Sequence, residues 1–376
     1  MLSWGTWAAN ELERLKELNL SRACVPFDGD GPAGMVNGQR VLSFASNDYL
    51  GLASHPQVRL AAHRAIDRFG TGALASRLIV GTRSLHQELE TALARWKDTE
   101  RALVFSSGYA ANLGVLSALG REDVTIFSDA LNHASIIDGC RLAKARAVIY
   151  RHGDLEHLGA LLAQSAGKKL VVTETVFSMD GDRVAVETIA ELCIRHNALL
   201  VLDEAHDVFG PQLQPIKGLE VLHVGTLSKT LGALGGFVAG SQPMIDLLVN
   251  RARTFIFTTG LSPADTAAAL ASVEICMAAE GEALRSQLRS SVDSLRPHHP
   301  SAILPIVLGT ESAALEAAVH LRSEGIHVPA IRPPTVPIGT SRLRVALSAS
   351  HTPEMVAQLR RTLDQLSLGF GTATGP

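Results

Sequence analysis

The segment HVGTLSKTLGALGGFVAG, residues 223–240, holds a single lysine, Lys229, among Gly225, Thr226, Ser228, Gly232, Ala233, Gly235 and Gly236. Small neighbours strip water from an amine. Desolvation favours its neutral, nucleophilic form, the one that makes a Schiff base with an aldehyde. A solvated surface lysine fits poorly with so many glycines. Thr226 and Lys229 lie three apart, so a helical turn would put them on one face. Asp203 closes the apolar run LLVLDE (199–204). A buried carboxylate needs a cation or donors, and capping the next helix is the plainer use. Ser106, Ser107 and Gly108 stand where ALVFS (102–106) gives way to a helical pattern. The free N–H groups of such a turn suit a phosphate, and a plain helix cap uses the same residue types. His133, in SDALNHASIIDG (128–139), sits at a second strand-to-helix junction, where a cap or core role competes with stacking on a flat ring.

An amine, a carboxylate, an anion cradle and a flat imidazole are together what pyridoxal 5′-phosphate requires: an anchor for its aldehyde, a partner for its ring nitrogen, a phosphate site and a ring face. DEAH (203–206) is also the metal-site tetrapeptide of one helicase group. That use needs the phosphate loop G-x-x-x-x-G-K-[ST], and Ser228 rather than Gly precedes Lys229.

These residues need a scaffold that aligns strand ends. From residue 100, short apolar runs at 102–106, 124–128, 147–150, 170–174, 199–204, 220–225 and 235–240 alternate with helical patterns such as 108–119, 132–143, 154–165 and 187–196. That rhythm predicts an α/β fold with a mostly parallel central sheet flanked by helices, and ligands of such sheets sit at the carboxyl ends of the strands. An amphipathic helix is predicted over 8–18, and residues 26–40 read as loop and turn. An Ala-rich helix over 262–290 opens a smaller α+β C-terminal domain. The expected division is an N-terminal helix and arm (1–45), a large cofactor-binding domain (46–260), the smaller domain (261–368) and a disordered tail (369–376).

Length agrees with two lobes, because 376 residues exceed what one core serves. A formal charge of −3 does not suggest a nucleic-acid surface. Apolar runs such as ALLVL (198–202) are too short to span a bilayer, and Met1 is followed by no secretory pattern, so a cytoplasmic protein is expected. Cys24, Cys140, Cys193 and Cys276 are scattered and read as reduced thiols. No metal is implied.

SNDYLGL (46–52), GTGALASRLIVGT (70–82), HQELE (86–90), SGYAAN (107–112), NHASIIDG (132–139), FSMDGD (177–182), DEAH, GTLSKTLGALGG (225–236) and FIFTTGLSPA (255–264) together resemble the α-oxoamine synthases. These fold-type I pyridoxal-phosphate enzymes join an amino acid to an acyl-CoA with loss of CO2. Within that family, IRPPTVPIGTSRLRVALSASHT (331–352) looks most like the biotin-pathway members, which condense L-alanine with pimeloyl-CoA or a pimeloyl-carrier protein. Sister enzymes use glycine or serine. The resemblance implies that Lys229 bonds the cofactor and moves protons at the substrate Cα. It places Asp203 on the ring nitrogen, His206 on the ring hydroxyl, His133 against the ring and Ser178 in cofactor contact. Gly108, Tyr109 and Thr226 would hold the phosphate, with Thr258 or Thr259 reaching the partner subunit's phosphate in a homodimer whose site lies at the interface. Asn47 and Arg344 would take the amino-acid carboxylate, and Arg22 and Thr335 the acyl substrate. DVFGPQLQPIKG (207–218) is shorter than the family's usual Gly-rich loop, and ALAS (73–76) replaces a more glycine-rich stretch. Both departures bear on the acyl channel or the dimer contact.

Overall fold

The computed structural model describes residues 3–210 and 213–370. The last six residues of the predicted tail, and positions 211–212 of the shortened loop, lie outside the described residues. Two compact units divide the chain. One comprises 47–178 and 182–287; the other comprises 3–46, Met179–Gly181 and 288–370.

In the first unit the seven apolar runs become one sheet: β1 (Arg101–Phe105), β2 (Val124–Asp129), β3 (Arg146–Tyr150), β4 (Lys168–Glu174), β5 (Ala198–Asp203), β6 (Val221–Thr226) and β7 (Gly236–Gly240). Their spatial order is β1-β7-β6-β5-β4-β2-β3. β7 runs antiparallel to β1 and β6, and the other pairs are parallel. The runs are almost continuously apolar because both faces are covered. Leu170 and Val172 of β4, with Val201 of β5, belong to one core; Val171, Leu200 and Leu202 belong to the other. Helices Gly108–Leu119, Ala134–Leu142, Leu155–Gln164 and Val186–Arg195 make the connections. The carboxyl ends of β4, β5 and β6 therefore stand side by side, ending in Glu174, Asp203 and Thr226.

The second unit holds a four-stranded sheet, Phe27–Gly29, Ala33–Val36, Gln39–Ser43 and Ile326–His327, and a three-stranded one, Ile303–Gly309, Ser341–Ala346 and Ala330–Ile331. The loop expected over 26–40 is thus two hairpins. Val36 pairs with Gln39 across Asn37 and Gly38, which take positive φ of 50° and 76°. A two-residue Asn-Gly turn requires that geometry and twists the strands correctly, so the polar, Gly-rich composition marks tight turns between short strands.

The helix expected over 262–290 is also two, Pro263–Met277 and Ala279–Leu295, separated by an extended Ala278. A Cβ on Gly281 would stand 2.5 Å from the Ile275 carbonyl oxygen, so only glycine lets the second helix start folded back against the first. Among the described residues no helix is long and apolar enough to cross a membrane. Cys24 is exposed, the other three cysteines are buried, and all four are free.

Candidate functional site

Lys229 follows the end of β6 in a tight loop and not on the helical turn that its spacing from Thr226 suggests. The loop closes through backbone bonds from Gly232 N–H to Lys229 O, Ala233 N–H to Leu227 O and Leu227 N–H to Gly235 O, each 2.9 Å. Thr226 Oγ1 accepts the Ser228 N–H at 3.1 Å and donates to Gly235 O at 3.0 Å. A helix needs those same groups. The glycines serve close approach. Gly232 has φ +60°, and a Cβ there would fall 2.4 Å from Ala53 N; a Cβ on Gly236 would fall 2.4 Å from Gly108 N. The lysine loop therefore packs backbone to backbone on residue 53 and on the Ser107–Gly108 turn. Lys229 itself is half-buried.

A chain of hydrogen bonds leads away from its amine. Lys229 Nζ lies 2.7 Å from His206 Nε2, and His206 Nδ1 lies 2.6 Å from Tyr49 Oη. Tyr49 donates its hydroxyl hydrogen to Asn47 Oδ1 at 3.2 Å.

A second network surrounds Asp203, which is 6% exposed. Asn112 Nδ2 donates to Asp203 Oδ2 at 2.6 Å and to Ser135 Oγ at 2.9 Å, and Ala205 N–H donates to Asp203 Oδ1 at 3.0 Å. Ser135 N–H donates to His133 Nδ1 at 3.2 Å, which leaves the proton of a neutral His133 ring on Nε2. Burial first holds this imidazole below its ordinary pKa; Asp203 pulls the other way and Lys229 adds to the lowering. Glu174 is paired with Asp203 across β4 and β5. Burial, then the Asp203 carboxylate, push its carboxyl well above the usual range, against Lys229 and the backbone N–H groups of His133 and Ser178. Two adjacent buried carboxyls disfavour each other's charge, so the Glu174 carboxyl keeps its proton to higher pH than a free one.

Helix Gly108–Leu119 starts beside these groups. Ser107 caps it by accepting the Ala110 N–H at 3.0 Å. The N–H groups of Gly108 and Tyr109 make no hydrogen bond within the described chain. Thr226 stands against Gly108, where a Cβ would meet its own at 3.3 Å, and the Tyr109 ring centroid is 6.2 Å from that of His133.

The structure thus brings together Asn47, Gly108, Tyr109, His133, Ser178, Asp203, His206, Thr226 and Lys229. Thr258 and Thr259 lie on a separate segment, where Thr259 bridges to Ser76. Arg22, Thr335 and Arg344 belong to the other unit. There Arg22 donates to Pro333 O at 2.7 Å, and Arg344 is buried in strand Ser341–Ala346. Sequence reasoning misses Tyr49, Asn112, Ser135 and Glu174. Asn112 and Ser135 had a signal, since each is four or fewer residues into a helix that begins at a marked turn. Tyr49 had none, because its partner is 157 positions away.

Two charge clusters brace this end of the sheet, the first of them buried. Glu204, next to Asp203, lies 2.6 Å from Lys97 Nζ, and His223 Nδ1 lies 2.8 Å from its other oxygen. The side chains of Lys97 and Glu204 are each 7% exposed. Burial alone would raise the Glu204 carboxyl; Lys97 and His223 outweigh it and hold the pKa far below the usual range. Lys97→Ala leaves a buried carboxylate without its cation and is expected to destabilise the protein by about 3–5 kcal/mol. Urea unfolding would read this, and a loss under about 1 kcal/mol would contradict it.

His152 lies between Asp129 and Asp182, 2.9 Å from each. Burial lowers its pKa, but the two hydrogen bonds and charges outweigh it and raise it from 6.5 to about 10. A raised pKa gives stability that is complete below about 6.5 and lost as pH rises through about 10. The stability gap between the wild type and His152→Ala should therefore narrow from pH 6 to pH 10, as followed by thermal unfolding. A gap that widens with pH would contradict it.

Comparison with known proteins places this geometry. The sequence profile of the aminotransferase class I and II family matches residues 39–363. The chain belongs to that family. This aminotransferase-family chain is 48% identical over 368 residues to the 8-amino-7-oxononanoate synthase of Anaeromyxobacter dehalogenans (strain 2CP-1 / ATCC BAA-258), covering 93% of this chain and 92% of that one. Among solved structures it superimposes on the serine palmitoyltransferase of S. paucimobilis bearing a PLP–myriocin adduct, with a TM-score of 0.88, 30% identity and coverage of 96% and 98%. It also matches 8-amino-7-oxononanoate synthase from Francisella tularensis, with a TM-score of 0.72, 26% identity and coverage of 87% and 98%. The fold is the fold-type I architecture of pyridoxal-phosphate-dependent transferases.

The residues present fit that cofactor. Asn112 Oδ1 and Glu174 Oε1 are buried without a partner among the described residues, beside Asp203. Two helix-terminal N–H groups stand free for a phosphate. A lysine amine, a fixed carboxylate and a neutral imidazole stand close to one another.

Proposed function

We propose that this chain is a pyridoxal-phosphate-dependent acyltransferase that condenses L-alanine with a pimeloyl thioester, of CoA or a carrier protein, to give 8-amino-7-oxononanoate, the free thiol and CO2 in biotin biosynthesis, a cytoplasmic pathway. The observation that carries it is a single lysine amine, 2.7 Å from an imidazole, in one cluster with a donor-held buried carboxylate at the end of a parallel strand, in a chain 48% identical to a synthase of that name.

When bound, pyridoxal phosphate supplies the sink for electrons freed at the alanine Cα. Lys229 supplies the amine that holds it and carries the Cα proton. Asp203, fixed by Asn112 and Ala205, faces two donors already and is the group that keeps a proton on the ring nitrogen. His133 presents an uncharged face, which stacks without setting a second cation beside the ring. Gly108 and Tyr109 N–H groups and Thr226 bind the phosphate, Ser178 contacts the cofactor and His206 reaches its hydroxyl. Asn47 and Arg344 orient the alanine carboxylate, which decides the Cα bond to be broken. Arg22 and Thr335 contact the acyl substrate. A C–C bond then forms between Cα and the thioester carbonyl, the thiol leaves, and CO2 is lost.

Thr258 or Thr259 would serve the partner's phosphate in a homodimer. In support, Leu74, Ile79, Val80 and Phe257 are 81%, 74%, 65% and 69% exposed. Their segments are tied together by the Gly260 N–H to Ala75 O bond and the Ser76–Thr259 bridge. Exposed apolar surface of this kind is what a subunit interface would cover. Sedimentation showing only monomer at micromolar concentration would overturn the dimer.

Thiol release by the cofactor-loaded protein tests the reaction. L-alanine, glycine and L-serine are each paired with pimeloyl-CoA and acetyl-CoA. Thiol with L-alanine and pimeloyl-CoA alone is expected. Thiol with glycine and acetyl-CoA would make it a sister enzyme, and amino-group transfer without thiol would make it a transaminase.

A further inference from the structure

Tyr49 is fully buried, and nothing in the reaction as described uses it. Its hydroxyl stands 3.2 Å from Asn47 Oδ1, which can only accept. It stands 2.6 Å from His206 Nδ1, and a Lys229 ammonium, which can only donate, needs His206 Nε2 as its acceptor. The proton of a neutral His206 must then sit on Nδ1, and Nε2 faces Lys229 Nζ, 2.7 Å away, with a bare lone pair. The tyrosine oxygen therefore accepts from Nδ1 and leaves its hydrogen for Asn47 Oδ1.

We propose that Tyr49 is a positioning residue that sets the tautomer of His206 and so gives the Lys229 amine a proton acceptor. The inference rests on the reading of Lys229 as the residue that bonds an aldehyde cofactor. An ammonium cannot attack an aldehyde. In the step proposed, an Nζ–H bond of the Lys229 ammonium breaks and a bond from that proton to His206 Nε2 forms. The imidazolium keeps its Nδ1–H on Tyr49 Oη, and the neutral amine can attack the aldehyde carbon. The other titratable groups around the pair are Asp203 and Glu174 at the ends of β5 and β4, and His133. Asp203 is held by Asn112 and Ala205, and His133 Nδ1 is held by Ser135, so each is already committed by its own hydrogen bonds. With phenylalanine at 49 the imidazole loses the acceptor on Nδ1, the tautomer with the proton on Nε2 becomes accessible, and two donors then face each other.

The test uses apoprotein and pyridoxal phosphate alone. Attachment to Lys229 is trapped with borohydride and counted by mass spectrometry, for wild type and Tyr49→Phe, from pH 6 to pH 10. Tyr49→Phe is expected to attach at least about 10-fold more slowly at pH 7, with the deficit closing at high pH, where the amine loses its proton to solvent. Equal rates and equal pH profiles would overturn the proposal and leave Tyr49 a packing residue. Failure of the wild type to attach at Lys229 would instead overturn the cofactor reading. A second measurement needs no variant: the imidazole 15N shifts of His206 in the apoprotein, assigned by their loss in His206→Gln. Protonation at Nδ1 is expected, and a neutral ring protonated at Nε2 would overturn the proposal even if Tyr49→Phe does not fold.

Discussion

Replacing Lys229 by alanine is expected to lower turnover by on the order of 10⁴–10⁶-fold, measured as thiol release from pimeloyl-CoA in the presence of L-alanine. No neighbour can substitute. Among the groups described around the cluster, only Lys229 carries an amine; His206 and His133 offer imidazoles, and Asp203 and Glu174 offer carboxyls. The fold should survive, because the loop is closed by backbone bonds through Gly232, Ala233 and Leu227 rather than by the lysine side chain. Unfolding curves of the variant and the wild type should agree within about 1 kcal/mol, and the cofactor should bind without borohydride-stable attachment. Substantial turnover in a correctly folded Lys229→Ala protein would defeat the assignment.

Asp203→Asn should lower kcat by about 10²–10³-fold, the scale on which a preorganised electrostatic contact acts. The substitution keeps shape and removes charge. It also breaks the local network in a readable way. Asp203 accepts on both oxygens, from Asn112 Nδ2 and from Ala205 N–H. An asparagine would turn an N–H₂ toward one of these donors. Asn112 could answer by rotating its amide so that Oδ1, buried and unpartnered, accepts the new donor, but it would then lose its bond to Ser135, which holds His133. The variant should therefore bind pyridoxal phosphate more weakly as well as turn over slowly, in an equilibrium titration followed by cofactor absorbance. An Asp203→Asn enzyme within about 3-fold of wild-type kcat would show that Asp203 is not the partner of the ring nitrogen.

Much of this protein is legible in its sequence. The apolar runs from residue 102 to 240 give the strands, because a strand covered on both faces must be apolar at every position. The residues that end those runs, Asp203 and Thr226, and the junction residues Gly108 and His133, give the chemistry, because a parallel sheet collects its strand ends on one edge. Lys229 is legible through its glycines, although the reason differs from helical spacing: Gly232 and Gly236 let backbones touch. Residues 26–40 show the opposite case, where turn-forming composition hides two hairpins around Asn37-Gly38. Chain order could not reveal which distant side chains meet. Tyr49 reaches His206, Lys97 pairs with Glu204, and the Glu174 carboxyl is held above its usual range by burial and by Asp203 one strand away. A hydrogen bond's direction and a carboxyl's charge depend on partners a few ångströms off and many residues apart, and only the folded chain fixes those distances.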